Sequence, residues 1–523
     1  MKKMTLKMRL MGGIVAFSML LGGCAQGFDS DERFTNGVSN AQLEAPVLTA
    51  ESFSIVLAAD GSEAIQVKWP VVMGAGGYRV SVDKVAVMEN GALVPIDPVA
   101  VPLKGDQTSI EIDACSVTFP CEYGYQYAVT LQALGNKKLG NGESPLGEPA
   151  RYLYYTVPTP IPAGVDLAEA IVIDEENPTS RAIYVLEPGG HYTCSGRLDF
   201  QRHNVQMYPA DYDAANNVYN ISPVRARITF ETDGVIKTSA GLQLKNIDFD
   251  CDAMKAKGVV EGSEDVDPSL AGPNFGAPDK GYILIDPIII ENCRFRQVKQ
   301  CLVYCGESAW NFTDIRLINS MVQMDNDGTA NGNAAVFCTY NGSAKYLGGT
   351  SWELGIRHIT VSNSTLWNIK ENSKNRMVRF GRNNLSVYFS GNDGSASFEN
   401  CTIVQMFTGK EFGNNTPNNK DYAITFNNNV VYDCYRLQKF IQSNNTLNID
   451  VTTNALCAVN TTLDGTDKTR CGTEESFTFD AAMMSAGNGL VDAKLDLDKE
   501  DGGVNFKAIG GTIAPTVGDP RWL

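Results

Sequence analysis

A short pattern recurs six times between residues 246 and 431, in which an asparagine is followed three positions later by an apolar residue. Successive asparagines are 27 to 46 residues apart, which suits the turns of a solenoid that carry loops of different length. Residues alternate with a period of two within each copy, and this predicts a β-strand. The copies are Asn246–Phe249, Asn292–Phe295, Asn319–Val322, Asn363–Leu366, Asn400–Ile403 and Asn428–Val431.

The alternation also predicts which side chains face inward. Positions one and three after each asparagine are mostly small or apolar, and we expect them to stack inside the solenoid. The asparagines themselves are predicted to form a buried column whose amides bond to one another. Positions two and four face outward, and they read Asp248/Asp250, Arg294/Arg296, Met321/Gln323, Thr365/Trp367, Thr402/Val404 and Val430/Tyr432.

This arrangement of corner asparagines and stacked aliphatic residues resembles the right-handed parallel β-helix of the pectate-lyase-like superfamily. The resemblance covers roughly residues 165–475. It implies the architecture alone, because that superfamily contains polysaccharide lyases, hydrolases and non-catalytic adhesins.

The region before the solenoid contains short alternating runs separated by turn residues, which predicts a β-sandwich. Trp69, Tyr78 and Tyr127 lie on three of these runs. Their order resembles a fibronectin type III module, in which the Trp fills the core and the late Tyr closes a corner. The predicted fold class is therefore all-β, with a sandwich followed by a parallel β-helix.

The predicted organisation has six segments. A Pro-rich stretch marks the boundary between the two folded domains, since such a stretch forms a stiff spacer. The segments are a lipoprotein signal peptide (1–23), an acidic tether (24–44), a fibronectin type III-like module (45–157), a Pro-rich linker (158–164), the parallel β-helix (165–475) and a C-terminal cap segment (476–523).

The first residues have the pattern of an export signal. Four basic residues precede an apolar run from Met11 to Leu21, and two glycines separate Leu21 from Cys24. This layout is typical of a secretory signal, and Cys24 in this context resembles the lipidated cysteine of bacterial lipoproteins. The acidic tether that follows resembles export signals of Bacteroidetes surface lipoproteins, which implies outer-membrane anchoring facing the exterior. The alternative is an ordinary signal peptide with an incidental Cys.

The sequence Gly518-Asp-Pro-Arg-Trp522 resembles the ending of a group of Bacteroidetes surface lipoproteins of unassigned activity. We expect Trp522 to dock as an apolar plug on the last solenoid turn. Asp519 and Arg521 are predicted to hold the bend beside it.

The charge of the chain bears on its partners. The formal net charge is −17, and removal of four basic residues with the signal peptide takes it to −21. So acidic a surface argues against nucleic acid as a partner. We expect a monomer.

The outward positions predict an exposed stripe that binds a polysaccharide. Arg294 and Arg296 are the predicted contacts for the carboxylates of an acidic glycan, because guanidinium groups match carboxylates at two points. Trp367 and Tyr432 are the predicted contacts for sugar rings, because aromatic faces supply apolar area.

Three carboxylates, Asp248, Asp250 and Asp252, fall on one face of a strand. They are candidates for a Ca²⁺ site built from oxygen ligands. The alternative is a set of ion pairs with Arg294 and Arg296 on the neighbouring strand.

A lyase of this fold needs a base and a cation that stabilises the anion formed beside a uronate carboxyl group. The candidates are Arg376, Arg379 and Arg382. They depart from the pectate-lyase motif, because Val378 stands where that motif has Pro and Gly381 where it has its second Arg. Catalysis is therefore left open.

Three hypotheses follow for the function. The favoured one is a surface-anchored lipoprotein that binds an acidic polysaccharide on its β-helix. The alternatives are a polysaccharide lyase of the same fold and an adhesin without a sugar ligand.

The lipidation hypothesis predicts the behaviour of one variant. Cys24→Ala should leave uncleaved or released protein in place of membrane-anchored protein, because no thiol remains to carry the lipid. Fractionation of outer membranes, followed by immunoblotting, measures the distribution. Partitioning of the variant with the outer membrane like wild type would contradict the hypothesis.

Overall fold

The computed structural model divides the chain into two compact units, residues 1–156 with 213–218, and residues 157–212 with 219–523. Cys24 lies outside the described residues. Among those described, no helix is both long and apolar enough to cross a membrane. The structure describes residues 38–57, 63–89, 92–173, 181–215, 218–263, 282–284, 286–304, 310–326, 335–339, 355–370, 375–379, 393–407, 412–414, 422–435, 437, 448–459, 471–485 and 491–523.

The first unit contains a sandwich of two antiparallel sheets, as predicted. Its strands are bounded by the turn-rich segments that the sequence pattern indicates. The smaller sheet contains Phe53–Leu57, Glu63–Lys68 and Ser116–Pro120. The larger sheet contains Ala75–Glu89, Ala92–Ala100, Ser109–Ile112, Tyr125–Gly135 and Ala150–Leu153, and a 3₁₀ turn covers Ala50–Ser52.

Aromatic residues fill the sandwich core. Trp69 and Tyr78 are buried and meet edge to face with ring centroids 5.4 Å apart. Tyr127 is also buried, and its hydroxyl accepts a hydrogen bond of 2.6 Å from the backbone N–H of Glu122. The buried hydroxyl therefore has a partner that also fixes the local turn.

The second unit is a parallel solenoid of three sheets, which confirms the predicted β-helix. The first sheet contains Thr159–Ile161, Arg181–Leu186, Asn204–Asp213, Val218–Ile221, Leu242–Lys245, Tyr282–Leu284, Ile288–Glu291, Trp310–Ile318, Ile356–Ser362, Gly394–Glu399, Tyr422–Asn427 and Asn448–Thr452. The second contains His191–Cys194, Ala226–Phe230, Ile247–Asp250, Arg294–Val298, Met321–Met324, Thr365–Asn368, Thr402–Val404, Val430–Tyr432, Ala455–Cys457 and Thr473–Glu474. The third contains Arg197–Asp199, Val235–Thr238, Gly258–Gly262, Cys301–Tyr304, Phe337–Cys338, Val378–Arg379 and Gly413–Asn414. Short helical segments cover Leu167–Ala170, Ala481–Met483, Ala514–Thr516 and Pro520–Trp522.

The predicted inward positions are all fully buried inside the solenoid. Phe249 and Phe295 stack with ring centroids 4.6 Å apart and planes 8° from parallel. Phe230 extends this stack by one turn, at 6.0 Å from Phe249. Offset stacking of this kind adds to the stabilisation from apolar burial.

The corner between the first and second sheets explains why asparagine recurs. Each of the six asparagines has a positive φ, between 48° and 56°, and Asn adopts this left-handed conformation more readily than most residues. Asn292 donates to Asn246 at 2.6 Å, so an amide ladder forms in part. The predicted burial of the asparagine column is wrong, because all six side chains retain some exposure at the corner.

A buried polar ladder lies one position later in several of the turns. Ser364 accepts from the N–H of Ser320 at 3.1 Å, and Asn454 accepts from the N–H of Asn429 at 2.9 Å. These side chains satisfy backbone groups that the corner would otherwise leave unpaired in the core.

The positive φ at the corner predicts a difference between two variants at Asn400, whose φ is 54°. Asn400→Ala should lower the free energy of unfolding by about 1 kcal/mol, because a Cβ without a compensating local polar group disfavours this conformation. Asn400→Gly should cost less, since Gly tolerates positive φ. Urea unfolding of both variants measures the difference. Equal destabilisation would show that the amide, and not the backbone conformation, is what the corner requires.

Candidate functional site

The outward face of the second sheet is largely covered by the described part of the C-terminal segment, residues 476–485 and 491–523, which we call the strap. The strap runs from the last strands of that sheet back to its early strands, and its Leu497 carbonyl reaches Arg294. The apolar outward residues lie beneath it. Each such large side chain contributes about 1.5–3 kcal/mol when fully buried. The covered residues are Met321, Trp367, Val404, Val430, Tyr432 and Ala455.

The predicted exposed stripe is therefore wrong at both aromatic positions. Trp367 is 0% exposed, and its indole N–H donates to the carbonyl of Ala493 in the strap at 2.8 Å. Tyr432 is 9% exposed and packs against Phe479, with ring centroids 5.1 Å apart. Both rings are used in packing against the strap, so neither presents a face to a sugar.

The final residues anchor the strap by the bend that the sequence predicts. Asp519 is fully buried and accepts from the Thr365 hydroxyl at 2.6 Å, while Arg521 Nε pairs with Asp519 at 3.0 Å. Trp522 donates to the Thr365 hydroxyl at 2.6 Å. Trp522 thus docks at a middle turn, and the prediction that it docks on the last turn is wrong.

Two arginines of the predicted stripe form two-point ion pairs with the preceding strand. Arg294 donates through Nε and Nη2 to Asp248, with 2.7 Å for the Nε contact. Arg296 does the same to Asp250, at 3.0 and 2.7 Å.

The cross-strand ion pairs replace the proposed calcium site. Asp248 and Asp250 are held by the two arginines, and Asp252 pairs with Lys299 at 2.9 Å. Each of the three carboxylates thus has a different cation, as the ion-pair alternative requires. Within the described ranges, no group of three or more His, Cys, Asp and Glu is placed to hold a metal ion.

Arg294 has a structural role beyond its ion pair. Its guanidinium also donates to three carbonyls of the strap, those of Leu497, Lys499 and Glu500, at 3.2, 2.5 and 3.1 Å. The side chain therefore joins the sheet to the strap, and its donors are occupied by the protein itself.

One of the catalytic candidates, Arg379, lies on a different sheet. Arg379 is on the strand Val378–Arg379 of the third sheet, and both Arg376 and Arg379 are buried. Arg382 lies outside the described residues. The structure therefore gives no geometry that joins the three arginines in one accessible site.

A cleft of about 600 Å³ opens where the strap meets the early strands of the second sheet. The register aligns four charged or polar side chains on successive strands, namely His191, Arg227, Asp248 and Arg294. Arg225 and three strap residues, Asp498, Lys499 and Glu500, complete the charged lining. This is the part of the outward face whose residues are charged instead of apolar.

Arg225 and Arg227 are the cations of the cleft that Asp248 does not fully neutralise. Arg225 donates to the backbone and side-chain oxygens of Asn292, and its Nε is 3.7 Å from Asp248. Burial lowers the pKa of Arg225, and repulsion from Arg294 lowers it further. Arg227 Nη2 pairs with Asp498 at 2.8 Å. The cleft lining thus carries four cations, Arg225, Arg227, Arg294 and Lys499, against three carboxylates, Asp248, Asp498 and Glu500.

The comparisons with known proteins cover the beginning of the chain. The DUF4992 family model, described as a domain of unknown function, matches residues 1–184. The matched stretch ends within the strand Arg181–Leu186 of the first solenoid sheet. No curated protein and no solved structure matches the chain.

The sequence reasoning missed Arg225 and Arg227, because both precede the first copy of the asparagine pattern. A signal was present. The segment Ala226–Phe230 alternates in the same way as the later copies, which places Arg227 in the outward column next to Asp248.

The two arginine–aspartate pairs predict different costs for the same substitution. The Arg294 and Asp248 side chains are 5% and 6% exposed, whereas Arg296 is 35% exposed. Arg294→Ala should lower the free energy of unfolding by about 3–5 kcal/mol, because Asp248 is left as an unpaired buried charge. Arg296→Ala should cost about 1 kcal/mol or less, as exposed pairs do. Chemical unfolding of the solenoid transition measures both, and equal costs would show that Arg294 does not anchor the strap.

Proposed function

We propose that this chain is a lipid-anchored outer-membrane protein that binds an acidic polysaccharide on its β-helix. The observation that carries the proposal is the cleft with the cations Arg225 and Arg227. Carboxylated sugars present their charge along the chain, and guanidinium groups bind carboxylates with charge-assisted hydrogen bonds. The proposed site lies at the early turns of the second sheet, and the covered aromatic residues take no part in it.

Of the two arginines, Arg227 is the better candidate for direct contact with a ligand. Among the described residues its ion-pair partner is Asp498, whose side chain is 81% exposed. An ion pair with so exposed a partner contributes little to stability, since water competes for both charges. The cost of exchanging this partner for a ligand anion is therefore small.

Arg225 supports Arg227 from the wall of the cleft. Its hydrogen bonds go to the neutral Asn292, and the nearby Asp248 is already bound at two points by Arg294. An anion in the cleft would offset the repulsion between Arg225 and Arg294, which lowers the Arg225 pKa. Binding of an anion would therefore stabilise the charged form of Arg225, and the charged form of Arg225 would in turn stabilise the bound anion.

The rest of the chain fits a protein held away from a surface. Cys24 provides the proposed lipid anchor, and the acidic residues that follow form the tether. The strands of the smaller sheet lie in the order Phe53–Leu57, Glu63–Lys68, Ser116–Pro120. Those of the larger sheet lie in the order Ala92–Ala100, Ala75–Glu89, Tyr125–Gly135, Ala150–Leu153, with Ser109–Ile112 also paired to Ala75–Glu89. This topology supports the fibronectin type III resemblance, and such a module would act as a spacer. We propose that the chain belongs to the Bacteroidetes surface lipoproteins, in which a fibronectin type III-like module is combined with a β-helix.

One observation favours the lyase as a second candidate. His191 and Arg227 are paired in register on neighbouring strands, and both line the cleft. A lyase needs a base and a nearby cation, and these two side chains provide both types of group. This pair has better access to a polymer than the buried Arg376 and Arg379.

The proposal predicts that one arginine controls retention on polygalacturonate. Arg227→Ala should weaken binding at low salt about tenfold or more, because a hydrogen bond to a charged group contributes about 1.5–3 kcal/mol. Arg316→Ala is the matched control, since Arg316 is 25% exposed against 21% for Arg227 and pairs with Asp314 on its own strand. Affinity electrophoresis in polygalacturonate and in neutral galactan measures the effect, which should shrink as salt rises.

Three outcomes separate the hypotheses. Equal retention of the Arg227 and Arg316 variants would contradict the proposed site. Absorbance of unsaturated sugars during incubation with polygalacturonate, lost in His191→Ala, would establish the lyase in its place. Absence of retention on every acidic and neutral polysaccharide would favour the adhesin without a sugar ligand.

A further inference from the structure

The strap carries a carboxylate into the cleft at the position where an acidic ligand would bind. Asp498 belongs to a loop whose backbone is fixed, because Arg294 donates to the carbonyls of the flanking residues Leu497 and Lys499. The Asp498 side chain alone extends to Arg227, with 2.8 Å between Oδ1 and Nη2. The contact can therefore break without displacement of the loop.

The guanidinium of Arg227 is only partly used by this contact. Its Nε is buried and has no hydrogen-bond partner among the described residues. Arg294 and Arg296, two strands farther along the same sheet, each bind an aspartate through Nε and Nη2 together. Asp498 contacts Nη2, whereas a carboxylate bound side-on would accept hydrogen bonds from both Nε and Nη2. The Nε donor of Arg227 is therefore left for a ligand.

We infer that Asp498 is a built-in competitor, and that the carboxylate of a uronate residue displaces it to bind Arg227 through both Nε and Nη2. This inference rests on the proposed function and specifies the ligand group and the contact that it replaces. A planar carboxylate reproduces the geometry that Asp248 and Asp250 adopt on the neighbouring arginines. Asp498 leaves Nη2 when the ligand arrives.

The charges around Asp498 agree with this exchange. The hydrogen bond from Arg227 lowers the pKa of Asp498, and His191 and Arg296 contribute in the same direction. An anion at this point is thus favoured by three basic side chains from three strands of the second sheet. A ligand carboxylate would meet the same three side chains and would add the contact to Nε.

The experiment compares two neutral variants of the strap in the full chain. Asp498→Asn removes the competing charge, and it should bind trigalacturonate about two- to five-fold more tightly than wild type at low salt, which is the equivalent of one exposed ion pair. Asp501→Asn is the matched control, because it removes the same charge from the same loop, keeps an oxygen for the N–H of Gly503, and lies outside the lining of the cleft. Calorimetric titration with trigalacturonate, and with neutral galactotriose, measures the affinities.

The gain must depend on Arg227. In an Arg227→Ala background, Asp498→Asn should give no gain, because the group that the two carboxylates share is absent. A gain that persists in that background, or one that Asp501→Asn reproduces, would overturn the inference. Asp498→Asn that binds like wild type would overturn it as well.

The failure of this inference is distinguishable from the failure of the proposed function. If wild type binds trigalacturonate and Arg227→Ala weakens binding, but Asp498→Asn has no effect, only the competition is wrong. If wild type binds no uronate oligomer or polymer, the proposed function fails and the competition fails with it. Thermal unfolding of Asp498→Asn at the wild-type temperature serves as the check that the strap stays in place.

Discussion

The corner between the first and second sheets is the constraint on which the solenoid depends. At each corner the chain turns from the first sheet into the second through a single residue with positive φ. This residue fixes the phase of the following strand, because the next position must point inward and the one after it outward. A shift of one residue would exchange the two faces of the strand. The asparagines thus decide which side chains form the core and which form the outer face.

The outer face of the second sheet then divides into two parts by composition. Its middle and late strands carry apolar residues outward, and the strap covers them with its own aromatic residues, such as Phe479 and Phe506. Its early strands carry arginines, aspartates and a histidine, and removal of such charged or polar groups from water is energetically unfavourable unless they are paired. The cleft lies at the boundary between these two parts, where packing against the strap gives way to ion pairs.

The alternation along the sequence was enough to predict the fold and the direction of each side chain. It assigned Phe249 and Phe295 to the core, and Asp248 and Arg294 to neighbouring outward positions, and the register confirms both. It did not predict exposure, because the segment that covers Trp367 is distant in sequence and shows no repeat. The outward apolar run from Met321 to Tyr432 was itself a sign of a cover, since water rarely meets so long an apolar strip.

The site was harder to predict than the fold, and the reason is physical. A strand is recognisable from its own residues, whereas the cleft needs two segments that are far apart in the chain. Arg227 is on an early strand and Asp498 is in the strap. Their proximity follows from the path of the strap, which no local pattern encodes. The ion pairs of Asp248 and Asp250, in contrast, join neighbouring strands and followed from the register alone.

The path of the strap has a consequence for folding during synthesis of the chain. The strap follows in the chain all the turns that it covers, so those turns leave the ribosome first. Until the strap arrives, Trp367 and Tyr432 belong to an uncovered apolar strip, which is the kind of surface that promotes association between unfinished chains. The solenoid therefore passes through a stage at which it is built but unprotected. Arg521, which bonds to the carbonyls of Ser320 and Asn363, is among the contacts that end this stage.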